Sequence, residues 1–184
     1  MALLEKLYTI EELWEIAHQN PNQRFELVEG IINEMSPVGG THGNTVGELI
    51  VLIRTFVKQR KLGYVTTETG YILDENAEKP TVRAPDVAFI SKDRLPEMPD
   101  EYIPMPPDLA VEVVSPGDAA SDVHDKVWEY LNSGTQLVWV VYPKSKTVDV
   151  HTVKGSHTLT ADDQLQGGAI LPEFSVLVTD IFPS

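Results

Sequence analysis

Apolar and polar positions recur along the chain with two periods, and these periods divide it into helices and strands. Thr9 and Glu12 have the spacing of a capping box, so a short helix should follow to about residue 18. Residues 24–35 alternate apolar and polar side chains around residues 29–30, which predicts a β-hairpin. The chain therefore begins with a helix and a hairpin.

The clearest helix is predicted at residues 41–61. Its apolar positions recur at helical spacing and form one face: Val46, Leu49, Ile50, Ile53, Phe56 and Val57. Arg54, Lys58 and Lys61 form a basic stripe beside that face. Gly63 is expected to end the helix.

Further strands and a second long helix follow in alternation. The strands are expected at residues 64–73, 82–90, 109–114, 136–142 and 147–153. Residues 109–114 and 136–142 are nearly all apolar, as expected for the middle of a sheet. Residues 91–107 are rich in proline and acid and should be an exposed excursion. The helix is expected at residues 120–133, closed by Gly134. This order predicts an α/β protein.

The chain is interpreted as one domain, because its 184 residues contain no repeat, low-complexity tract or linker. Residues 1–35 supply the N-terminal helix and hairpin, residues 41–142 the core, and residues 143–184 the C-terminal strands.

Composition and charge limit the classes of function. There are no cysteines, no apolar run nears the ~20 residues that span a bilayer, and the start lacks a secretory apolar core. A cytoplasmic protein without membrane contact is therefore expected. The net charge of −14 argues against tight, non-specific binding of DNA, since proteins that bind phosphates usually carry a basic surface. A local basic stripe can suffice, because net charge does not fix its distribution.

Two carboxylates occupy unusual positions in apolar strands. Asp86 stands at the mouth of one strand, and Glu112 lies within the run LAVEVV. A charge there is costly unless it is paired, exposed or bound to a cation. If the strands are neighbours, the two acids would form a hard-oxygen site suited to magnesium or manganese. Alternatively, Asp86 caps a turn and Glu112 faces solvent on an edge strand.

Lys126 is the candidate cation for the same site. It lies on the helix after Glu112, at the margin of the inner face marked by Val123 and Val127. Its ammonium could orient a water or stabilise developing negative charge. Alternatively, it pairs with Asp122 four residues earlier on the same helix.

The order of these residues resembles a known nuclease pattern. Pro85-Asp86 followed by Glu112 in an apolar strand is similar to the PD-(D/E)XK motif of restriction-endonuclease-like nucleases. Over nearly its whole length the chain resembles the Uma-two-like family of endonucleases. The resemblance rests on residues 25–30, His42, residues 83–87, 107–116, 125–126 and 137–141.

The resemblance implies a restriction endonuclease-like fold, with a mixed central β-sheet flanked by α-helices. It implies that Asp86 and Glu112 bind the metal, that the main chain at Val113 adds a carbonyl ligand, and that Lys126 is the catalytic lysine. Val114 stands where the wider superfamily has its lysine, and the family carries that lysine on the next helix instead.

Two further residues have open interpretations. The family carries an acid in the strand of Glu26, which would be a third metal ligand; otherwise Glu26 is a surface glutamate of the hairpin. Glu29 is disfavoured because an odd offset places it on the opposite strand face. His42 could contact a phosphate, support the site, or have no chemical role. Likewise the basic stripe could contact nucleic acid or be a solvated helix face.

The expected function is hydrolysis of phosphodiester bonds in nucleic acid, with DNA as the expected substrate and one or two magnesium ions. A homodimer is expected, as in many nucleases that cut two strands. One alternative is a binding or assembly module with an idle site, which the acidic composition favours. The other is a metal-dependent hydrolase of small phosphate esters.

Overall fold

The computed structural model describes residues 6–75 and 78–183. The helices are α1 (Ile10–Gln19), α2 (Gly40–Arg60) and α3 (Ala120–Ser133), with a 3-10 helix at Val178–Ile181. The strands are β1 (Arg24–Val28), β2 (Ile31–Met35), β3 (Gly63–Thr66), β4 (Tyr71–Asp74), β5 (Thr81–Arg83), β6 (Val87–Ser91), β7 (Leu109–Val113), β8 (Leu137–Tyr142), β9 (Thr147–Thr152), β10 (Gly155–Leu159), β11 (Gln164–Gln166) and β12 (Ser175–Leu177). No helix in this described part is long and apolar enough to cross a membrane.

A six-stranded mixed sheet forms the centre of the fold, in the order β10-β9-β8-β7-β6-β3. β7 and β8 run parallel, and the other neighbours are antiparallel. The parallel pair lies inside the sheet, which explains why both strands are almost continuously apolar.

The two faces of this sheet are covered by different helices because side chains alternate along a strand. Val111 of β7 belongs to the core cluster that contains Leu49 and Ile53 of α2. Ala110 of β7 belongs instead to the cluster that contains Tyr130 of α3. Glu112 has the same parity as Ala110 and therefore faces α3.

A second, four-stranded sheet has the order β2-β1-β5-β4. The predicted hairpin joins β1 to β2 through Glu29 and Gly30, which both adopt positive φ angles (50° and 79°). The capping box at Thr9 begins α1, whose Leu13 packs on this sheet with Leu27 and Val82. This sheet carries Glu26 on β1.

Two predicted strands are each divided between the sheets. Residues 64–73 form β3 and β4, and residues 82–90 form β5 and β6, so the prediction of single strands was wrong. The second division falls at residues 84–86. Pro85 lacks the N–H that a continuous ladder would need, and the chain crosses there from one sheet to the other.

Two local predictions also need correction. Lys61, not Gly63, takes the left-handed conformation at the end of α2 (φ 56°). Gly63 begins β3, where a Cβ atom would lie 2.1 Å from the Ile90 carbonyl oxygen. The excursion at residues 91–107 is not simply exposed, because Leu95 and Ile103 are buried in the core.

Candidate active site

Two acidic side chains meet where the chain crosses between the sheets. Asp86 directly precedes β6, which pairs antiparallel with β7, so it lies beside the end of β7 that carries Glu112. The Val113 N–H donates a hydrogen bond to Asp86 Oδ2 (2.7 Å). The two acids therefore lie on neighbouring strands, and Asp86 has a defined partner rather than only a turn to cap.

Glu112 is a buried carboxylate with two side-chain donors. Only 7% of the residue is exposed, and β7 lies between β6 and β8, so the alternative of a solvent-facing edge position was wrong. Lys126 Nζ donates to Oε2 (2.9 Å) and the Tyr130 hydroxyl donates to Oε1 (2.8 Å). Burial raises the pKa of Glu112, Lys126 opposes this, and the nearby Asp86 charge adds to the rise.

Lys126 bridges two acids on different sheets. Its Nζ lies 3.8 Å from Glu26 Oε1 in addition to its contact with Glu112. Burial lowers the pKa of Lys126, but the Glu112 and Glu26 carboxylates outweigh it, and the pKa lies above its ordinary value. Lys126 and Tyr130 are four residues apart on α3 and so share the face turned to β7. The ion pair with Asp122 that the sequence allowed is not formed.

Glu26 is held by a network of its own. Arg83 Nη1 donates to Glu26 Oε2 (2.7 Å), and the Ala84 N–H donates to Oε1 (2.9 Å). The other side of the Arg83 guanidinium donates to both oxygens of Glu129 on α3. Glu26 is 1% exposed, so the interpretation as a surface glutamate was wrong.

His42 supports Asp86 from the first turn of α2. Its Nε2 donates to Asp86 Oδ1 (3.1 Å), and its Nδ1 lies 3.0 Å from Ser115 Oγ. The hydrogen bond to Asp86 raises the pKa of His42, although burial acts in the opposite direction. Both oxygens of Asp86 therefore have fixed partners, which defines how the carboxylate is oriented.

Comparisons with known proteins bear on the family and on the fold. The sequence model of the Uma2 family, described as "Putative restriction endonuclease", matches residues 8–179. The chain belongs to this family. Its fold is similar to the crystal structure of "a putative nuclease belonging to DUF820" from Anabaena variabilis ATCC 29413, with a TM-score of 0.80 and 21% identity over 95% of this chain and 97% of that one. No curated protein matches the chain.

Membership in the Uma2 family supports a nuclease, and the similar structure establishes a restriction endonuclease-like fold. The family match spans every acid and lysine of the site described above. The basic stripe lies elsewhere: Arg54 is 12 residues after His42 on α2, or about 18 Å along the helix axis. The stripe is therefore not part of the Asp86 site.

A divalent cation fits the charge and chemistry of the site. Among the described residues, three carboxylates pair with Arg83 or Lys126: Glu26, Glu112 and Glu129. The charge of a fourth, Asp86, lies close enough to raise the pKa of Glu112. Oxygen donors with excess negative charge suit magnesium or manganese.

The number of side-chain ligands is small. Within residues 6–75 and 78–183, no group of three or more acidic, histidine or cysteine side chains is arranged to hold a metal alone. Magnesium commonly binds one or two carboxylates and keeps several waters, so a small set of side-chain ligands is compatible with it. Glu26 has both oxygens engaged, by Arg83 and the Ala84 N–H. Asp86 and Glu112 also accept hydrogen bonds at both oxygens, so this feature does not separate the three acids as metal ligands.

Sequence reasoning gave no role to four residues of the network: Arg83, Glu129, Tyr130 and Ser115. Arg83, Tyr130 and Ser115 contact an acid or the histidine of the site, and Glu129 contacts Arg83. Tyr130 could have been found, because it lies one helical turn after Lys126. Arg83 and Glu129 are 46 positions apart, and no local period connects them.

Proposed function

We propose that the chain is a metal-dependent endonuclease that hydrolyses phosphodiester bonds of DNA. The observation that carries this proposal is the buried Glu112–Lys126 ion pair beside Asp86. A buried ion pair is weak evidence for stability, since apolar residues often serve as well. A site of this kind, within a nuclease family and next to an excess of carboxylates, is better explained by chemistry.

In this proposal Asp86 and Glu112 hold magnesium or manganese, with the main-chain carbonyl of Val113 as a further ligand. When bound, the cation would act as a Lewis acid on the phosphate and so reduce the cost of the developing charge. His42 fixes the rotamer of Asp86 through its Nε2 hydrogen bond. Tyr130 does the same for Glu112.

Lys126 is the catalytic lysine of the proposal. Its ammonium is held between carboxylates of two sheets, so its position is fixed before substrate arrives. There it orients the attacking water and stabilises negative charge on the phosphate, and fixed charges of this kind act strongly in a site from which water is largely excluded. We assign Glu26 to positioning Lys126, because it lies 3.8 Å from the Lys126 amine and is itself held in place by Arg83.

The stripe of Arg54, Lys58 and Lys61 remains a candidate contact for the nucleic-acid backbone. Such a contact requires a substrate that extends at least about 18 Å from the site. We also propose a homodimer, which would carry two such sites.

The proposal is tested by cleavage of labelled duplex, single-stranded and branched DNA, RNA, and a small phosphodiester. Each substrate is incubated with magnesium, with manganese and with chelator. The variants are Glu112→Gln and Asp86→Asn, and Glu173→Gln is the matched control, since its carboxylate lies on the surface beside Arg60. We expect metal-dependent cleavage of DNA by the wild type and the control, and its loss in both site variants.

Other outcomes would support other functions. Cleavage retained by Glu112→Gln would remove Glu112 from the mechanism. Cleavage of the small ester alone would favour a hydrolase of small phosphate compounds. A folded wild type that cleaves nothing would favour the binding module, which the net charge of −14 already suits.

A further inference from the structure

A small cleft opens onto two of the three residues at which the chemistry is proposed, Asp86 and Lys126. It has a volume of about 200 Å³. Asp86 and Lys126 form part of its lining, so anything bound in it lies against the reactive end of the site. Apolar or aromatic side chains form the walls: Phe25, Met35, Val38 and Tyr102. Arg24 and Glu68, which pair with each other, also line the cleft.

The Tyr102 ring is packed against two neighbours in its wall. The Trp14 ring packs edge-to-face against it, with centroids 4.9 Å apart. On another side lies Gly70, where a Cβ atom would come within 2.4 Å of Tyr102 Cδ1. Glycine at this position therefore leaves room for the ring. A flat ring fixed in this way is a surface on which a base can stack without further ordering.

The cleft is too small for a duplex. Pockets for drug-sized ligands have volumes of about 300–1,000 Å³, so this cleft takes only part of such a molecule, such as one base with its sugar. A base can reach it only after leaving the stack of a double helix. That step costs least where the nucleotide is already unpaired.

The surface beyond Tyr102 also disfavours binding of a long nucleic-acid strand. Tyr102 separates the cleft from a larger groove of about 1020 Å³. Six acidic residues line that groove: Glu11, Glu15, Glu75, Glu78, Asp100 and Glu101. Among the described residues none of the six forms an ion pair. A phosphate backbone continuing in that direction would be repelled.

We propose that the cleft binds one unpaired nucleotide beside the scissile phosphate, with its base against Tyr102 and Phe25, so that the preferred substrates are single strands, flaps or mismatched sites rather than continuous duplex. This inference rests on the proposed nuclease function. Recognition by stacking is tolerant of base identity, because every base has a flat face. The cleft therefore selects for lack of pairing and not for sequence.

The test combines binding and cleavage. Binding is followed by the fluorescence of 2-aminopurine in single-stranded and duplex oligonucleotides, with chelator and the Glu112→Gln background to prevent cutting. Tyr102→Leu keeps apolar packing but removes the flat ring, Tyr102→Phe keeps the ring, and Gly70→Ala displaces it. Trp128→Ala is the matched control, because it removes a 55% exposed aromatic side chain that does not line the cleft. Thermal unfolding of each variant confirms that it is folded.

We expect the single strand to bind more tightly than the duplex, and Tyr102→Leu and Gly70→Ala to weaken it by about 5- to 100-fold. Tyr102→Phe and Trp128→Ala should bind as the parent does. Cleavage by the protein with Glu112 intact should follow the same order.

The two proposals fail in different ways. Equal cleavage of duplex and single strand, unchanged by Tyr102→Leu, overturns the cleft inference and leaves the nuclease standing. No cleavage of any substrate, with Tyr102-dependent binding of the single strand, overturns the nuclease and retains the nucleotide site. If the protein neither cleaves any substrate nor binds the single strand, both proposals are overturned.

Discussion

The guanidinium of Arg83 is the cation on which the buried carboxylate of Glu26 depends. Glu26 is 1% exposed and its salt bridge with Arg83 is 2.7 Å long. Glu129, the other partner of Arg83, is partly exposed and can be solvated without it. The change Arg83→Met should therefore leave the charge of Glu26 buried without a hydrogen-bonded cation. The amine of Lys126, 3.8 Å away, is already paired with Glu112.

Removing one partner of a buried ion pair typically costs about 3–5 kcal/mol of the free energy of unfolding. For a chain of this length each kcal/mol lowers the melting temperature by about 2–4 °C, so Arg83→Met should lower it by about 6–20 °C. The control is Arg60→Met, because the Arg60–Glu173 pair lies on the surface. Loss of an exposed pair should cost about 0–1 kcal/mol.

The measurement is urea unfolding of Arg83→Met, Glu26→Gln and the double variant. In the double variant a neutral amide replaces the unpaired carboxylate, and its oxygen can still accept the Ala84 N–H. The double variant should therefore be more stable than Arg83→Met alone. A loss below about 1 kcal/mol in Arg83→Met, or no recovery in the double variant, would refute the assignment of Arg83 as the counterion of Glu26.

Three more predictions concern the acids and the lysine. Lys126→Met should reduce the single-turnover rate of cleavage by about 100- to 1,000-fold, and Lys126→Arg should retain part of that rate. Equal rates in wild type and Lys126→Met would contradict the role of the ammonium. Because burial raises the pKa of Glu112 above its ordinary value of 4.5, the folded protein binds that proton more tightly than the unfolded chain. As the pH rises from about 4.5 to neutrality, the free energy of unfolding of the wild type should therefore fall relative to that of Glu112→Gln. Urea unfolding measures both free energies, and a difference that does not change with pH would contradict the raised pKa. Manganese at about 100 times its dissociation constant should stabilise the wild type by about 2.7 kcal/mol but not Asp86→Asn, which thermal unfolding with and without chelator will show.

The part of the site that was predictable from sequence depends on local periodicity. The two-residue period of β7 places Glu112 on one face, and the 3.6-residue period of α3 turns Lys126 and Tyr130 toward that face. Because β7 has one acid and α3 has one lysine on the faces turned to each other, the two side chains can be placed in few ways. The structure places Lys126 Nζ 2.9 Å from Glu112 Oε2, and the catalytic and metal-binding roles of the two residues stay predictions.

The part that was not predictable depends on how two sheets meet. The partner of Glu26 could have been a metal, a lysine or solvent, and it is Arg83 because the chain changes sheets just after β5. Nothing in the local pattern around Pro85 distinguishes a bend within one strand from a crossing between two sheets. The single-domain organisation, the cytoplasmic location and the homodimer stay predictions.

The strongest argument against a nuclease in the sequence was its net charge of −14, and the structure shows where some of that charge lies. Six of the 28 acidic residues line the groove beyond Tyr102, and three more pair with Arg83 or Lys126. Asp86 lies beside this second group, close to Glu112. The acids of the site are what a cation-dependent reaction requires. The acids of the groove repel phosphate along one direction only. The charge is therefore consistent with a nuclease that contacts few phosphates and obtains its affinity from a metal and a stacked base, and it disfavours one that grips a long duplex.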